Sequence, residues 1–204
     1  MVDKPAGLLS VPGRGAEKAD CVESRLSNAS GWLRAVHRLD MDTSGLLILA
    51  RTPEAHRSMS EAFAARSIEK TYEAHVWGVP DAARGRVDVS IVADWPNRPR
   101  QMVDPVRGKP AITDWQCLGK AGNTAHLVLR PVTGRSHQLR VHMAHIGHPI
   151  LGDPFYAHPA ARAAAPRLML HAAALAFDHP VTGARLELRL APPFPALASA
   201  LAQD

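Results

Sequence analysis

The chain reads as an α+β fold built on a mixed, mainly antiparallel central sheet flanked by helices and loops. Three observations lead there. Its 204 residues, 46% of them hydrophobic, suffice to bury a sizeable core. Segments of strand character outnumber segments of helical character, and the two kinds do not alternate regularly along the chain. No internal repeat or low-complexity linker interrupts them, so one compact domain spanning residues 1–204 is the simplest organisation.

Each element has its own local reason. Asp20-Cys21-Val22-Glu23 has the form of an N-terminal capping box, and Val22 with Leu26 gives a short apolar face, so a helix of about two turns is expected. Leu46 to Ala50 is a continuous apolar run, the pattern of a strand covered on both faces, and Ser44-Gly45 gives it a tight entry. Thr52-Pro53 suits an N-cap and first helical residue. From there Ala55, Met59, Ala62, Phe63 and Arg66 recur at helical spacing to about Ser67. Thr71 to Trp77 alternates Tyr72, Ala74 and Val76 against Glu73, His75 and Trp77, as a strand with two usable faces does. Further strands are expected at Thr124 to Arg130 and at Leu186 to Leu190, the latter after a turn at Pro180-Val181-Thr182-Gly183. Ser136 suits the N-cap of a helix running to about Ile146, with Leu139, Met143 and Ile146 on one face.

Composition narrows the partners. Lys plus Arg number 24 against 19 Asp plus Glu, and 19 of those cations are Arg. The formal charge of +5 and basic pI favour a polyanionic partner, and planar guanidinium groups suit bidentate phosphate recognition and stacking on bases. Cys21 and Cys117 lie far apart with no Cys-x-x-Cys spacing, which argues against a disulfide framework or a cysteine metal site and for a reduced, cytoplasmic setting. Neither a signal-peptide core nor an apolar run of membrane-spanning length is present. His137, His142, His145 and His148 cluster within twelve residues, but no His-Glu-x-x-His or cysteine pattern accompanies them, so no metal is expected.

The most informative stretch is His37-Arg38-Leu39-Asp40-Met41-Asp42-Thr43-Ser44-Gly45, a candidate acid set between a cation and a turn and anchored by the following strand. Taken alone, Asp40 or Asp42 can simply cap that turn. In the wider string, His37-Arg38-Leu39-Asp40-x-x-Thr43-Ser44-Gly45 resembles the signature of the RluA-type pseudouridine synthase family. The resemblance extends to Lys4-Pro5-Ala6-Gly7-Leu8, Lys70-x-Tyr72-x-Ala74-x-Val76-x-Gly78, Gly134-Arg135-Ser136-His137-Gln138-Leu139-Arg140-Val141-His142 and Gly147-His148-Pro149-Ile150-Leu151-Gly152-Asp153. Asp94 to Pro99 and Pro166 to Ala172 narrow it to members acting on both 23S rRNA and tRNA.

Such a resemblance implies an isomerase that turns uridine into pseudouridine in RNA without a cofactor, as a monomer with no obligatory protein partner. Asp40 is then the nucleophile, which must be ionised, with Arg140 as its stabilising cation and Tyr72 stacking on the uracil or moving a proton. Asp42 is expected to be solvated or capping. Extruding the target base leaves a gap that Arg38 is suited to fill, while Arg98, Arg135 and His137 are expected to contact RNA and Leu139 to lie near the base. The family usually carries a further strand before the Lys-Pro block, expected here to be missing or shortened. Relatives often add a separate RNA-binding domain, for which this sequence offers no candidate. The rival expectation is a non-catalytic RNA-binding or RNA-folding module using the same basic surface.

Overall fold

The structure is a computed structural model and describes residues 1–195 and 197. In chain order its strands and α-helices are β1 (Val2–Lys4), α1 (Val22–Ser30), β2 (Arg34–Ala35), β3 (Ser44–Leu47), β4 (Leu49–Ala50), α2 (Pro53–Ala64), β5 (Glu69–Trp77), β6 (Arg84–Ala93), β7 (Gln101–Val103), β8 (Lys109–Ala121), β9 (Thr124–Pro131), α3 (Gln138–His145), α4 (Pro159–Ala163), β10 (Leu170–Asp178) and β11 (Arg185–Arg189). They form two compact units, one of Met1–Lys70 with His171–Pro192 and the other of Thr71–Leu170 with the residues from Pro193 onward.

In the first unit β3 lies between β1, antiparallel to it, and β10, parallel to it, and β11 pairs antiparallel with β10. The residues from Thr43 to Ala50 are all buried, as the apolar run implied. That run is nonetheless broken at Ile48, whose N–H donates to His37 Nε2 (3.1 Å) and whose carbonyl accepts from Val36 N (3.2 Å), so β4 pairs with β2 instead of continuing β3. Gly45 sits opposite Ala172 with φ 112°, and a Cβ there would lie 2.4 Å from the Ala172 carbonyl oxygen, so only glycine fits this crossing. Leu46, Ile48, Met59, Ile68, Leu175 and Phe177 form the unit's core.

The two helices of this unit follow their capping chemistry with adjustments. Thr52 Oγ1 accepts from Ala55 N (3.2 Å) and Pro53 opens α2 as expected, but the helix stops at Ala64 because Arg66 turns into the left-handed region at φ 62°. The capping box of α1 is shifted by one residue: Cys21 Sγ accepts from Ser24 N (3.2 Å) and Ser24 Oγ accepts from Cys21 N (3.1 Å). Glu23 is thereby released to accept from Ala35 N (2.8 Å) and tie α1 to β2.

The second unit is an antiparallel sheet in the order β5-β9-β8-β6-β7. Ala74, Val76, Leu127, Leu129, Leu139, Met143 and Ile150 are among its core residues. The fold is therefore α+β with a mixed, mainly antiparallel sheet content, β3 and β10 pairing in parallel. Among the described residues no helix is long and apolar enough to cross a membrane, and no group of three or more His, Cys, Asp or Glu side chains is placed to hold a metal ion.

Candidate active site

In the first unit Asp40 sits half-buried at the start of a tight turn closed by Thr43 N donating to Asp40 O (3.1 Å). The residues on either side of it are fixed through their backbones. Leu39 exchanges two hydrogen bonds with one hydroxyl: its N–H donates to Ser10 Oγ (3.0 Å), and that Oγ donates to its carbonyl (2.8 Å). The Met41 carbonyl accepts from Gly7 N (2.9 Å) and from Lys4 Nζ (2.8 Å).

Lys4 is fully buried, and its ammonium also donates to the carbonyls of Pro5 (2.8 Å) and Leu8 (2.6 Å). A buried cation surrounded by backbone dipoles makes the Lys4-Pro5 segment a clamp on the Asp40 turn. Behind the turn, buried Ser44 Oγ and His171 Nδ1 share a 2.8 Å hydrogen bond between β3 and β10.

His37 stacks on Phe63 with centroids 4.6 Å apart, and its pKa is pushed down to about 4, first by burial and then by Lys70. The neutral ring can thus keep Nε2 as the acceptor for Ile48 N. Arg38 is exposed, whereas Asp42 is half-buried and makes no side-chain hydrogen bond among the described residues.

In the second unit Arg140 is 2% exposed and faces a fully buried carboxylate. Its Nε donates to Asp153 Oδ2 (2.8 Å) and its Nη2 to Asp153 Oδ1 (2.7 Å), a bidentate pair. Asp153 Oδ1 also accepts from the backbone N–H groups of Phe155 (2.8 Å) and Tyr156 (3.2 Å). The rings of Phe155 and Tyr156 thus stand 5.1 and 5.2 Å from the Arg140 guanidinium carbon. The pairing occupies one edge of the guanidinium, and Nη1 takes no part in it.

The entry to α3 differs from expectation. Ser136 is not its N-cap. His137 holds that position in the left-handed region at φ 53° without a side-chain cap, and Gln138 fastens the turn instead. Gln138 Oε1 accepts from Thr133 Oγ1 (2.7 Å) and Arg135 N (3.0 Å), and its Nε2 donates to Ile112 O (2.9 Å) and Thr113 Oγ1 (3.0 Å). His137 Nδ1 lies 2.6 Å from the Tyr156 hydroxyl, and its ring stacks on Phe155 at 5.8 Å.

The remaining anticipated residues of this unit divide by exposure. Leu139 is 7% exposed and belongs to the core cluster against which half-buried Tyr72 packs from β5. Arg135 is half-buried, with Nε donating to Pro110 O (3.2 Å), and Arg98 is exposed and lies over the Trp95 ring. Arg135, His137, Leu139 and Arg140 are therefore gathered around the start of α3, while Arg38 and Asp40 share the turn of the first unit. Among the clustered histidines, His142 is fully buried against Thr113 Oγ1 (2.9 Å) with its pKa pushed down to about 4, chiefly by burial, and His148 Nδ1 lies 3.1 Å from Trp77 O.

Residue-type reasoning assigned no role to Lys4, Asp153, Phe155 or Tyr156. The available signal was the position of Lys4 and Asp153 inside motif blocks, together with the rule that a buried Arg or Lys needs acceptors.

Comparison with known proteins bears on this geometry. The family described as RNA pseudouridylate synthase matches residues 1–145. The dual-specificity RNA pseudouridine synthase RluA of Escherichia coli K12 is 53% identical over 184 residues, covering 90% of this chain and 84% of that protein. Its Pasteurella multocida counterpart is 47% identical over 195 residues, covering 95% and 89%. Among solved structures, human RNA pseudouridylate synthase domain containing 1 superposes with a TM-score of 0.75 at 28% identity, covering 96% of this chain and 88% of that one.

Proposed function

Because the chain belongs to the RNA pseudouridylate synthase family and is an isomerase forming pseudouridine in RNA, we propose that it acts on uridines of both 23S rRNA and tRNA, with Asp40 as the nucleophile. Family membership disfavours the non-catalytic RNA-binding module. The reaction breaks the bond from ribose C1′ to the uracil nitrogen and rejoins the base through carbon, with no net oxidation, so it needs no redox cofactor. The observation that supports Asp40 is the double clamp: Leu39 and Met41 are held through their backbones while the carboxylate between them is only half-buried. A side chain so placed has a fixed origin and access to a ligand.

Within this reading, Asp40 attacks ribose C1′ or uracil C6 in its ionised form, and the base is detached, turned and reattached. Arg140 is the cation that favours the charged nucleophile, and its own charge is held in place by Asp153. Tyr72, half-buried on β5, stacks on the uracil and offers a hydroxyl for proton movement. Exposed Arg38 fills the stack vacated by the extruded base, Arg98, Arg135 and His137 contact RNA, and Leu139 supplies an apolar surface near the base. The protein works as a single catalytic domain and a monomer in the cytoplasm, where both RNAs are found.

The deciding experiment incubates purified protein with tRNA and a 23S rRNA fragment and maps pseudouridine chemically. Conversion in both RNAs by the wild type and in neither by Asp40→Asn is the expected result. Turnover kept by Asp40→Asn and lost by Asp42→Asn would reassign the nucleophile, and conversion confined to one RNA would remove the dual specificity.

A further inference from the structure

Among the described residues Trp95 is the most exposed aromatic side chain, with 67% of its surface in water. A single exposed aromatic is ordinary, but this one is mounted on a rigid loop. Between β6 and β7 the chain makes one short helical turn, Trp95–Asn97. Asp94 N donates to Arg100 O (3.0 Å), Asn97 N to Asp94 O (3.0 Å), Arg100 N to Asn97 O (3.1 Å) and Asn97 Nδ2 to Asp94 Oδ2 (2.9 Å). The same loop sets the Arg98 guanidinium carbon 3.7 Å from the centre of the Trp95 ring, in stacking contact with one indole face. With that face covered and most of the residue in water, the opposite face is the accessible one.

The loop is also tied to the surroundings of Arg140. Immediately after it, Gln101 N donates to the Tyr156 hydroxyl (2.8 Å), and the Arg100 guanidinium carbon lies 5.9 Å from the ring centre of Phe155. Phe155 and Tyr156 are the two rings that flank Arg140. Trp32 provides an internal contrast. It is 41% exposed, but its guanidinium neighbour Arg34 stands 5.9 Å away and His56 meets it edge-on at 6.4 Å, so no preformed planar pair exists there.

We infer that Trp95, backed by Arg98, is a stacking platform for an unpaired base of the RNA substrate other than the uridine being isomerised. This rests on the reading of the chain as an RNA-modifying enzyme. Every base offers a π face, so an indole with one face already stacked accepts whichever base the loop of the RNA presents. Arg98 and Arg100 supply positive charge for the adjoining phosphates, while the one carboxylate of the loop, Asp94, is engaged by Asn97. Trp95 thereby measures whether unpaired RNA is present, and the ties through Gln101 and Arg100 connect that contact to the residues around Arg140.

The test compares wild type, Trp95→Ala, Trp95→Phe and, as a control, Trp32→Ala. Dissociation constants are measured by tryptophan fluorescence and filter binding with a tRNA anticodon stem-loop and with a fully paired RNA duplex of equal length. Trp95→Ala is expected to weaken stem-loop binding about tenfold and leave duplex binding as it was. Trp95→Phe is expected to keep most of the affinity but lose the larger part of the RNA-induced quenching, and Trp32→Ala to behave as wild type. The inference is overturned if Trp95→Ala binds the stem-loop like wild type, if the loss is equal on duplex, or if Trp95→Phe is as weak as Trp95→Ala. Chemical mapping of pseudouridine by the wild type separates these outcomes from failure of the functional reading, which would appear as uridines left unconverted by every protein.

Discussion

The turn that carries Asp40 and the start of α3 that carries Arg140 secure their charged groups in opposite ways. Around Asp40 the backbone is fixed and the side chain is left half-exposed. Ser10, Gly7 and Lys4 bind the main chain of Leu39 and Met41. Around Arg140 the side chain itself is fixed, 2% exposed, paired edge-on with Asp153 and flanked by two rings. A nucleophile has to reach a substrate, so its fixed parts must lie beside it. A cation that tunes a charge has to stay still, and low dielectric with a bidentate partner keeps it still. Removing the Asp40 carboxylate should therefore appear in turnover, and removing the partner of Arg140 in folding as well.

Two substitutions give the sharpest form of that contrast. Asp40→Asn, at a half-buried position, is expected to lower kcat by about 10³-fold or more while the melting temperature stays close to wild type, the loss typical of removing a nucleophile. Asp153→Ala removes a fully buried carboxylate from a guanidinium with almost no access to water, and should cost about 3–5 kcal/mol of stability, read as a lower denaturant midpoint. Equal stability losses in the two variants would erase the distinction between the two regions.

Lys4→Met tests the clamp beneath Asp40. The substitution keeps the length of a side chain that is fully buried but takes the donor from the carbonyls of Pro5, Leu8 and Met41. A destabilisation of about 2–3 kcal/mol is expected, because buried carbonyls lose charge-assisted bonds. Turnover should also fall, since the Met41 carbonyl then loses its Lys4 Nζ donor and keeps Gly7 N. Stability lost with kcat intact would mean that the clamp supports folding and not the nucleophile.

How far these features could be read from residue order depends on the kind of interaction involved. Capping at Thr52-Pro53 and the strand character of Thr71 to Trp77 are local, and both survive in the structure, although Ala74, His75 and Val76 are buried in succession and do not alternate. The one-residue shift of the α1 cap arises because Ser24 completes the box while Glu23 is drawn to Ala35. The false N-cap at Ser136 arises because Gln138, a residue rarely considered at that place, satisfies the turn through β8 and Thr133. Leu170–Asp178 is not legible as a strand because its alanines suit a helix better, and tertiary pairing, including that with β3 and β11, makes it one. Arg84–Ala93, by contrast, carries a strand-like alternation of Val87, Val89 and Ile91 that is local to the sequence. At the site, the residue types of Asp40 and Arg140 stood out within motifs. The partners of Lys4 and Arg140 did not, since three carbonyls and a distant carboxylate leave no pattern in a sequence.

Acid should separate the two regions least, because each unit hides neutral histidines. His37 in the first unit and His75 and His142 in the second have pKa values pushed down to about 4, in each case chiefly by burial. A histidine depressed in the folded state binds its proton more readily when unfolded. Its burial therefore carries no protonation penalty well above pH 6.5 and destabilises progressively as pH falls from there towards 4. At pH 5 the penalty is about 1–2 kcal/mol for each ring. Urea midpoints should accordingly fall between pH 7 and pH 5. His142→Asn keeps a partner for Thr113 and removes one titrating group, so it should flatten that dependence even if it lowers stability at pH 7. An unchanged pH slope in His142→Asn would show that the ring is not kept neutral by its burial.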